Sequence, residues 1–403
     1  MKKVKHAYIY DAIRTPRGKA RPDGGLHDLS PYELLSALYT ALEQRTGFNP
    51  AEIDEVILGC ATQYGELAGN IAKTSTLYHG WPAHISGLTV NRFCSSGIDA
   101  INFAAMKVMT GVDEMNVAGG IEMLSRIPML ADKPAPFLNA ELASKIGMYM
   151  MGCGADLIAT KHGFSREEVD LIALESQQRA AYARENGYYN SIIPVMNTTK
   201  NITIEQDEII RPHTTADGLA AMAPAFAELG QSGTDADYLK AFPELDSIQH
   251  VHTAGNSPAM ADGASALLIG SAAVGEKLGI KPRARIRAMA NLNADHRTVL
   301  TGCVDVVKKL MRSEGITAED VDLFEIHEAF AATMLYGKQE LGIDGSKLNV
   351  NGGCIALGHP LGATGAIMTG TLLDELERRD LKTGIVSAAG AAGAGSALFI
   401  ERC

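Results

Sequence analysis

Over the first 125 residues, short apolar runs alternate with stretches whose apolar positions recur at the three- and four-residue spacing of a helix. Runs at 4–13, 55–60, 88–93 and 114–118 predict strands, the last closed by Gly119-Gly120. Ser30-Pro31-Tyr32-Glu33 supplies a capping box with proline in the first turn. Leu34, Leu35, Leu38, Ala41 and Leu42 then give the helix one apolar face, and a further helix is predicted over 95–110. Such alternation implies a parallel or mixed sheet covered by helices, an α/β fold.

The pattern breaks near residue 125. Pro128, Pro134, Pro136 and the methionines Met148, Met150 and Met151 lie among longer helices and loops. A second capping box, Ser165-Arg166-Glu167-Glu168, opens a helix that Gly187 stops. Alternation returns after Asp262, in segments 264–270, 285–290, 304–312, 323–326 and 384–400. The chain therefore divides into an α/β half (1–125), an inserted loop-rich domain (126–255) and a second α/β half (256–403). Val90-Asn91-x-x-Cys94 recurs as Val350-Asn351-x-x-Cys354, a repeat that would fit two similar halves.

Composition removes several function classes. With 36 basic against 47 acidic residues the net charge is −11, which argues against a nucleic-acid partner. No apolar run reaches the roughly 18 residues of a membrane span, and 1–19 lacks the apolar stretch of an export signal, so a cytoplasmic protein is expected. Six cysteines (Cys60, Cys94, Cys153, Cys303, Cys354, Cys403) form no C-x-x-C pair, which disfavours a disulfide framework or a metal site. Each is then buried filler or a reactive thiol.

Four segments carry candidate chemistry. In Asn91-Arg92-Phe93-Cys94-Ser95-Ser96-Gly97 a thiol stands between a strand and a helix N-terminus, whose partial positive charge favours the thiolate nucleophile. The glycine-rich run from Asn351 to Gly365 surrounds His359, a natural general base on a loop that a substrate can approach closely. Glu325-Ile326-His327-Glu328-Ala329-Phe330 places His327 at a strand end, and Ala331 stands where a zinc protease would need a second histidine. Small residues from Ser387 to Ser396 would let backbone N–H groups line an oxyanion hole.

In their order and spacing these segments resemble the thiolase family, the acyl-CoA C-acyltransferases. The resemblance runs from Asp11-Ala12-Ile13-Arg14-Thr15-Pro16 to Ile400-Glu401. It includes Gly119-Gly120-x-Glu122-x-x-Ser125, Met151-Gly152, Pro224-Ala225-Phe226, Thr253-Ala254-Gly255-Asn256, Asp262-Gly263-Ala264 and Gly358-His359-Pro360-Leu361-Gly362. It implies two similar α/β halves in a layered α/β/α/β/α arrangement, with the inserted domain covering coenzyme A. It also implies that Cys94 attacks a 3-ketoacyl-CoA with His359 as base, while His359 and His327 hold the oxygen of the acetyl-CoA enolate. The reverse reaction is a Claisen condensation. Met151, Phe226, Ser257 and Phe330 are expected beside the substrate or coenzyme A.

Coenzyme A is thereby a substrate, with no permanently bound cofactor, and Arg211 is one candidate for its phosphates. A homodimer or homotetramer follows from the family, with a β-oxidation hydratase/dehydrogenase subunit as a further partner. Several positions depart from the pattern. Ala389 stands where thiolases carry a second, proton-shuttling cysteine, and Ala329 offers no replacement. Acyl transfer to Cys94 is then expected to survive while carbon–carbon bond cleavage is crippled. Pro258 replaces a frequent Ser and Met150 a His of short-chain enzymes, while His327 replaces a frequent Asn as in β-oxidation complexes acting on longer chains. The alternatives are a decarboxylating condensing enzyme with a Cys-His-His site and a non-catalytic acyl-CoA-binding subunit. A cysteine hydrolase would leave both glycine-rich loops without a purpose.

Overall fold

The structure, a computed structural model, describes residues 5–403; residue 4, the expected start of the first strand, lies outside the described residues. In chain order come β1 (Ala7–Arg14), α1 (Pro31–Thr46), β2 (Glu55–Gly59), α2 (Ile71–His79), β3 (Ser86–Val90), α3 (Ser96–Thr110) and β4 (Met115–Met123). The insertion contributes α4 (Met151–His162) and α5 (Arg166–Glu185) among shorter helices, and β5 (Ala261–Gly270) follows it. The remainder is β6 (Ala284–Asn293), α6 (Gly302–Glu314), β7 (Leu323–Ile326), α7 (Ala331–Leu341), α8 (Thr364–Arg378), β8 (Thr383–Ala389) and β9 (Ala394–Arg402).

These strands lie side by side in the order β3-β2-β4-β5-β1-β6-β9-β8-β7. On one side of the β1–β6 junction, β2 and β4 are parallel while β4–β5 and β5–β1 are antiparallel. On the other side β7 and β8 are parallel while β8–β9 and β9–β6 are antiparallel. With the edge strand β3 set aside, strands met first, second, third and fourth along the chain take the same places in both halves. Even the edge is repeated, since β3 adds in parallel to β2 and Leu348 makes a parallel bridge to Phe324 of β7. Val90 and Val350 thus stand in corresponding places, each followed by the turn that leads to the central helix of its half.

Alternate residues of the strands face opposite layers, as the two-residue period of a strand requires. Val56, Leu58, Val117 and Leu268 pack with Leu34, Leu35, Leu38 and Leu42 of α1. Ile57, Ala118 and Leu267 pack instead with Ile98 and Ile101 of α3 and Leu372 and Leu373 of α8. In the second half Phe324, Ile385 and Phe399 join Val306 and Leu310 of α6, while Leu323, Val386 and Leu398 face the α3/α8 layer. Helix α8, sandwiched between the halves, is buried on every side from Thr364 to Leu376. This central position explains its small residues: a Cβ on Gly365 would lie 2.5 Å from Ile98 Cγ1.

Both capping boxes form. Ser30 Oγ accepts from the Glu33 N–H at 3.3 Å while Glu33 Oε2 accepts from the Ser30 N–H at 2.7 Å, and Ser165 with Glu168 repeats the pattern. Three sequence expectations change. The strand expected to close at Gly119-Gly120 runs on to Met123, because these glycines allow a close approach rather than a turn. A Cβ on Gly119 would meet Ser265 O at 1.9 Å, and one on Gly120 would meet Gly362 O at 2.6 Å. The segment 384–400 is two strands, β8 and β9, folded about a turn in which Gly390 N–H donates to Ala394 O and Ala392 takes φ +57°. Strand β5, expected to open the second half at 256–403, pairs with β1 and β4 and completes the first. Among the described residues no helix is long and apolar enough to cross a membrane.

Candidate active site

Cys94 occupies a sharp elbow between β3 and α3. Phe93 before it takes a left-handed φ of +52°, a costly conformation for an aromatic residue. Local hydrogen bonds hold it there: Asn91 Oδ1 accepts from the Phe93 N–H at 2.8 Å, and Ser96 Oγ accepts from the Arg92 N–H at 2.8 Å. Ser95 Oγ donates to Ala388 O at 2.8 Å, which ties the elbow to the end of β8 and brings position 389 beside it.

The second half supplies the two histidines. His359 follows Gly358, whose φ of +94° and close contact with Ile209 leave no room for a Cβ. The His359 N–H donates to Ala259 O at 2.8 Å, fixing the loop. Its Nδ1 contacts Thr364 Oγ1 at 2.7 Å and its Nε2 contacts Cys94 Sγ at 3.1 Å. When Thr364 accepts from Nδ1–H, the Nε2 lone pair faces the thiol, the arrangement a general base needs. His327 leaves the end of β7, its backbone N–H bound to Ser387 O at 2.9 Å. Its ring centroid is 4.3 Å from that of His359, and neither of its ring nitrogens has a hydrogen-bond partner.

Burial dominates the electrostatics. It pushes the Cys94 thiol up to about 12, with the Glu122 carboxylate adding to the rise. His327 is lowered to about 4 by burial, and His359 is held well below its ordinary value by burial and then by His327 and Arg17. The resting pair is therefore thiol and neutral imidazole. Burial thus works against the thiolate expected from the helix N-terminus, because it takes the charge out of water. The proton must move as the sulfur attacks.

Two cavities meet at Cys94. One is lined by Met150, Met151, Phe226, Ser257, Pro258 and Phe330 and reaches His327 and His359. All four residues expected beside the substrate or coenzyme A line this cavity, with Phe226 and Phe330 edge to face at 5.6 Å between centroids. Ser257 Oγ is buried there without a partner. The other cavity is lined by Phe93, Met129, Leu130, Phe137, Met148 and Leu300 among others. Ala389 is buried in the seam near the elbow and lines neither. Arg211 is exposed and also lines neither. In the turn at 390–393, Gly390 and Gly393 spend their N–H groups on Ala394 O and Val299 O, while Ala391 lines the second cavity together with Cys94.

Sequence reasoning assigned no role to three residues that the fold makes important. Glu122, fully buried, accepts from the N–H groups of Ala61, Thr62 and Gly362 at 3.0, 2.9 and 2.8 Å, clamping the His359 loop to the first half. Glu328 does the same on the other side, accepting from Ser176 Oγ at 2.7 Å and Ile355 N–H at 3.0 Å. The third is Cys354, buried behind the histidines, with Sγ and one nitrogen of each of His327 and His359 all within 4.8 Å of one another. Its only sequence signal was the repeated Val-Asn-x-x-Cys.

The family models described as the thiolase N-terminal domain and the thiolase C-terminal domain match residues 7–238 and 280–402. A 3-ketoacyl-CoA thiolase of Bacillus subtilis (strain 168) is 36% identical over 414 residues, covering 99% of this chain and 100% of the relative. A 3-ketoacyl-CoA thiolase of Colwellia psychrerythraea is 36% identical over 403 residues, covering 98% of each. The crystal structure of the Bacillus anthracis acetyl-CoA acetyltransferase superposes with a TM-score of 0.86 at 33% identity, covering all of both chains.

Proposed function

Because this chain belongs to the thiolase family, we propose that it is an acyl-CoA C-acyltransferase cleaving 3-ketoacyl-CoA through an acyl-enzyme at Cys94. The observation that carries the reading is Cys94 Sγ at 3.1 Å from His359 Nε2, where two cavities meet. Sγ attacks the C3 carbonyl as its proton passes to Nε2. The C2–C3 bond breaks, its electron pair stays with acetyl-CoA as an enolate, and a proton on C2 completes that product. Coenzyme A, entering as a substrate, gives its thiol proton to His359 and takes the acyl group from Cys94. His327, with free ring nitrogens beside His359, is assigned to the enolate oxygen, directly or through a water.

The methyl group of Ala389 carries no proton. The proton that C2 needs must come back from the histidine pair, so acyl transfer between an acyl-CoA and Cys94 is fast, while acylation by a 3-ketoacyl-CoA, which requires carbon–carbon cleavage, is slow. Met151, Phe226, Ser257 and Phe330 line the cavity assigned to the pantetheine arm, and the free Ser257 hydroxyl suits one of its amides. The aromatic and methionine-rich second cavity is assigned to the acyl chain, which favours substrates longer than acetoacetyl-CoA. Strand β3 is an exposed edge with Leu88 41% exposed beside Leu77 and Tyr78 of α2, and a second copy of the chain is the proposed cover.

The test is mass spectrometry of the protein after a long-chain acyl-CoA is added, which acylates Cys94 with loss of coenzyme A and without carbon–carbon cleavage. An acyl adduct on Cys94 that coenzyme A discharges is expected; tight binding with no adduct would favour the non-catalytic acyl-CoA-binding subunit. The His327–His359 contact also favours a second reading, decarboxylative condensation, for which a malonyl thioester is the discriminating substrate.

A further inference from the structure

Cys354, His327 and His359 are 1–3% exposed, and their nearest sulfur and nitrogen atoms lie within 4.8 Å of one another. The spacing argument against a metal site considered neighbours in sequence, whereas this trio joins the end of β7 to the start and the middle of the glycine-rich loop. We propose that these three side chains form a site for a soft divalent cation, Zn²⁺, whose occupation switches Cys94 off.

Sulfur and imidazole nitrogen are ligands that Zn²⁺ takes in preference to Mg²⁺ or Ca²⁺. Zn–N near ~2.1 Å and Zn–S near ~2.3 Å put tetrahedral ligand atoms roughly 3.4–3.6 Å apart. The trio reaches that spacing by side-chain movements of about 1 Å. Neither ring nitrogen of His327 makes a well-formed hydrogen bond, the Ala389 backbone being a polar neighbour there. Thr364 Oγ1 on the Nδ1 of His359 is the kind of outer partner that orients a ligating imidazole. The buried Arg17 guanidinium nearby opposes a cation, and burial holds the Glu325 and Glu328 carboxyls of the same cluster toward their neutral forms, so they offset it only on ionising. Water or Cys94 fills the fourth position. Binding displaces the Cys354 proton to solvent and forms the Zn–S bond, with no change of oxidation state. A neutral imidazole has one lone pair, so whichever nitrogen of His359 meets the ion, the base that Cys94 needs is gone.

The inhibition rests on the function proposed above; the binding does not, and the experiment separates them. The full-length protein, stripped with a chelator, is titrated with Co²⁺ and with Zn²⁺. One ion per chain is expected, with Co²⁺ giving thiolate charge-transfer and tetrahedral absorption bands. Cys354→Ala and Cys354→Ser should each weaken binding at least about tenfold. In the wild type one equivalent of Zn²⁺ should block acyl labelling of Cys94, whereas the Cys354 variants should label with or without it. Absence of stoichiometric binding, or binding that survives both Cys354 substitutions, overturns the proposal. Stoichiometric binding to a protein that never forms an acyl adduct would uphold the site and remove the function.

Discussion

Thr364 selects the nitrogen of His359 that faces Cys94. Its hydroxyl is the only hydrogen-bond contact of Nδ1 among the described residues, at 2.7 Å. Thr364→Val leaves Nδ1–H buried without an acceptor and frees the ring to choose the wrong tautomer. A fall in kcat of about ten- to hundredfold is expected, with KM nearly unchanged, since the loss is confined to a buried hydrogen bond worth ~1–3 kcal/mol. Ala389→Cys restores a thiol beside the Cys94 elbow. Cleavage of a long-chain 3-ketoacyl-CoA should rise by ~10²–10⁴ while acylation of Cys94 by a long-chain acyl-CoA stays the same. An unchanged cleavage rate would show that position 389 lies outside the proton path. At this scale the sequence was informative wherever chemistry is local. Cys94 and His359 stand in turns whose small residues advertise them, whereas Cys354 acquires its neighbours only when β7 and the glycine-rich loop meet. The resting protonation of Cys94 was missed for a similar reason: the helix end is visible in sequence, but the depth of burial is not.

At the level of elements, helix starts were legible because a capping box is written in four adjacent residues. Ser30→Ala removes the acceptor for the Glu33 N–H and should lower stability by about 1 kcal/mol, read as a shift in the urea midpoint with an unchanged slope. Glycines were harder. Gly119 and Gly120 look like punctuation in the chain, yet they lie mid-strand where neighbouring backbone crosses within van der Waals distance. Gly119→Ala, which would put a methyl 1.9 Å from Ser265 O, should destabilise β4 and β5 far more than Ser30→Ala does α1. Strand partners were illegible altogether. That β5 returns to β1 and β4 across the whole insertion is a long-range pairing, and no local pattern encodes it.

At the scale of the molecule, the two buried histidines tie stability to pH. Histidine in an unfolded chain titrates near ~6.5, while His327 in the fold is lowered to about 4 and His359 is lowered too. The unfolded chain then binds more protons than the folded one between those values. The contribution is complete above pH ~6.5 and is lost as pH falls toward 4, to the extent of roughly 3 kcal/mol for His327. Unfolding curves at pH 5 and 7 should diverge in the wild type and diverge less in His327→Asn, where His359 alone remains. The exposed edge strand β3 makes a further whole-molecule prediction: Leu88→Arg should shift sedimentation toward a single copy of the chain.

The repeated strand order has a consequence for how such a site is divided. The first half brings Cys94 and the second brings His327 and His359, so neither half by itself encloses all three. Two like halves can therefore carry unlike side chains at matching turns. One turn can specialise as nucleophile while its counterpart leads to the base. The chain behaves as a heterodimer that carries its own tether. Cut between Leu278 and Ala284, the two fragments should lose turnover on dilution and regain it on mixing, with a rate that scales as the product of their concentrations.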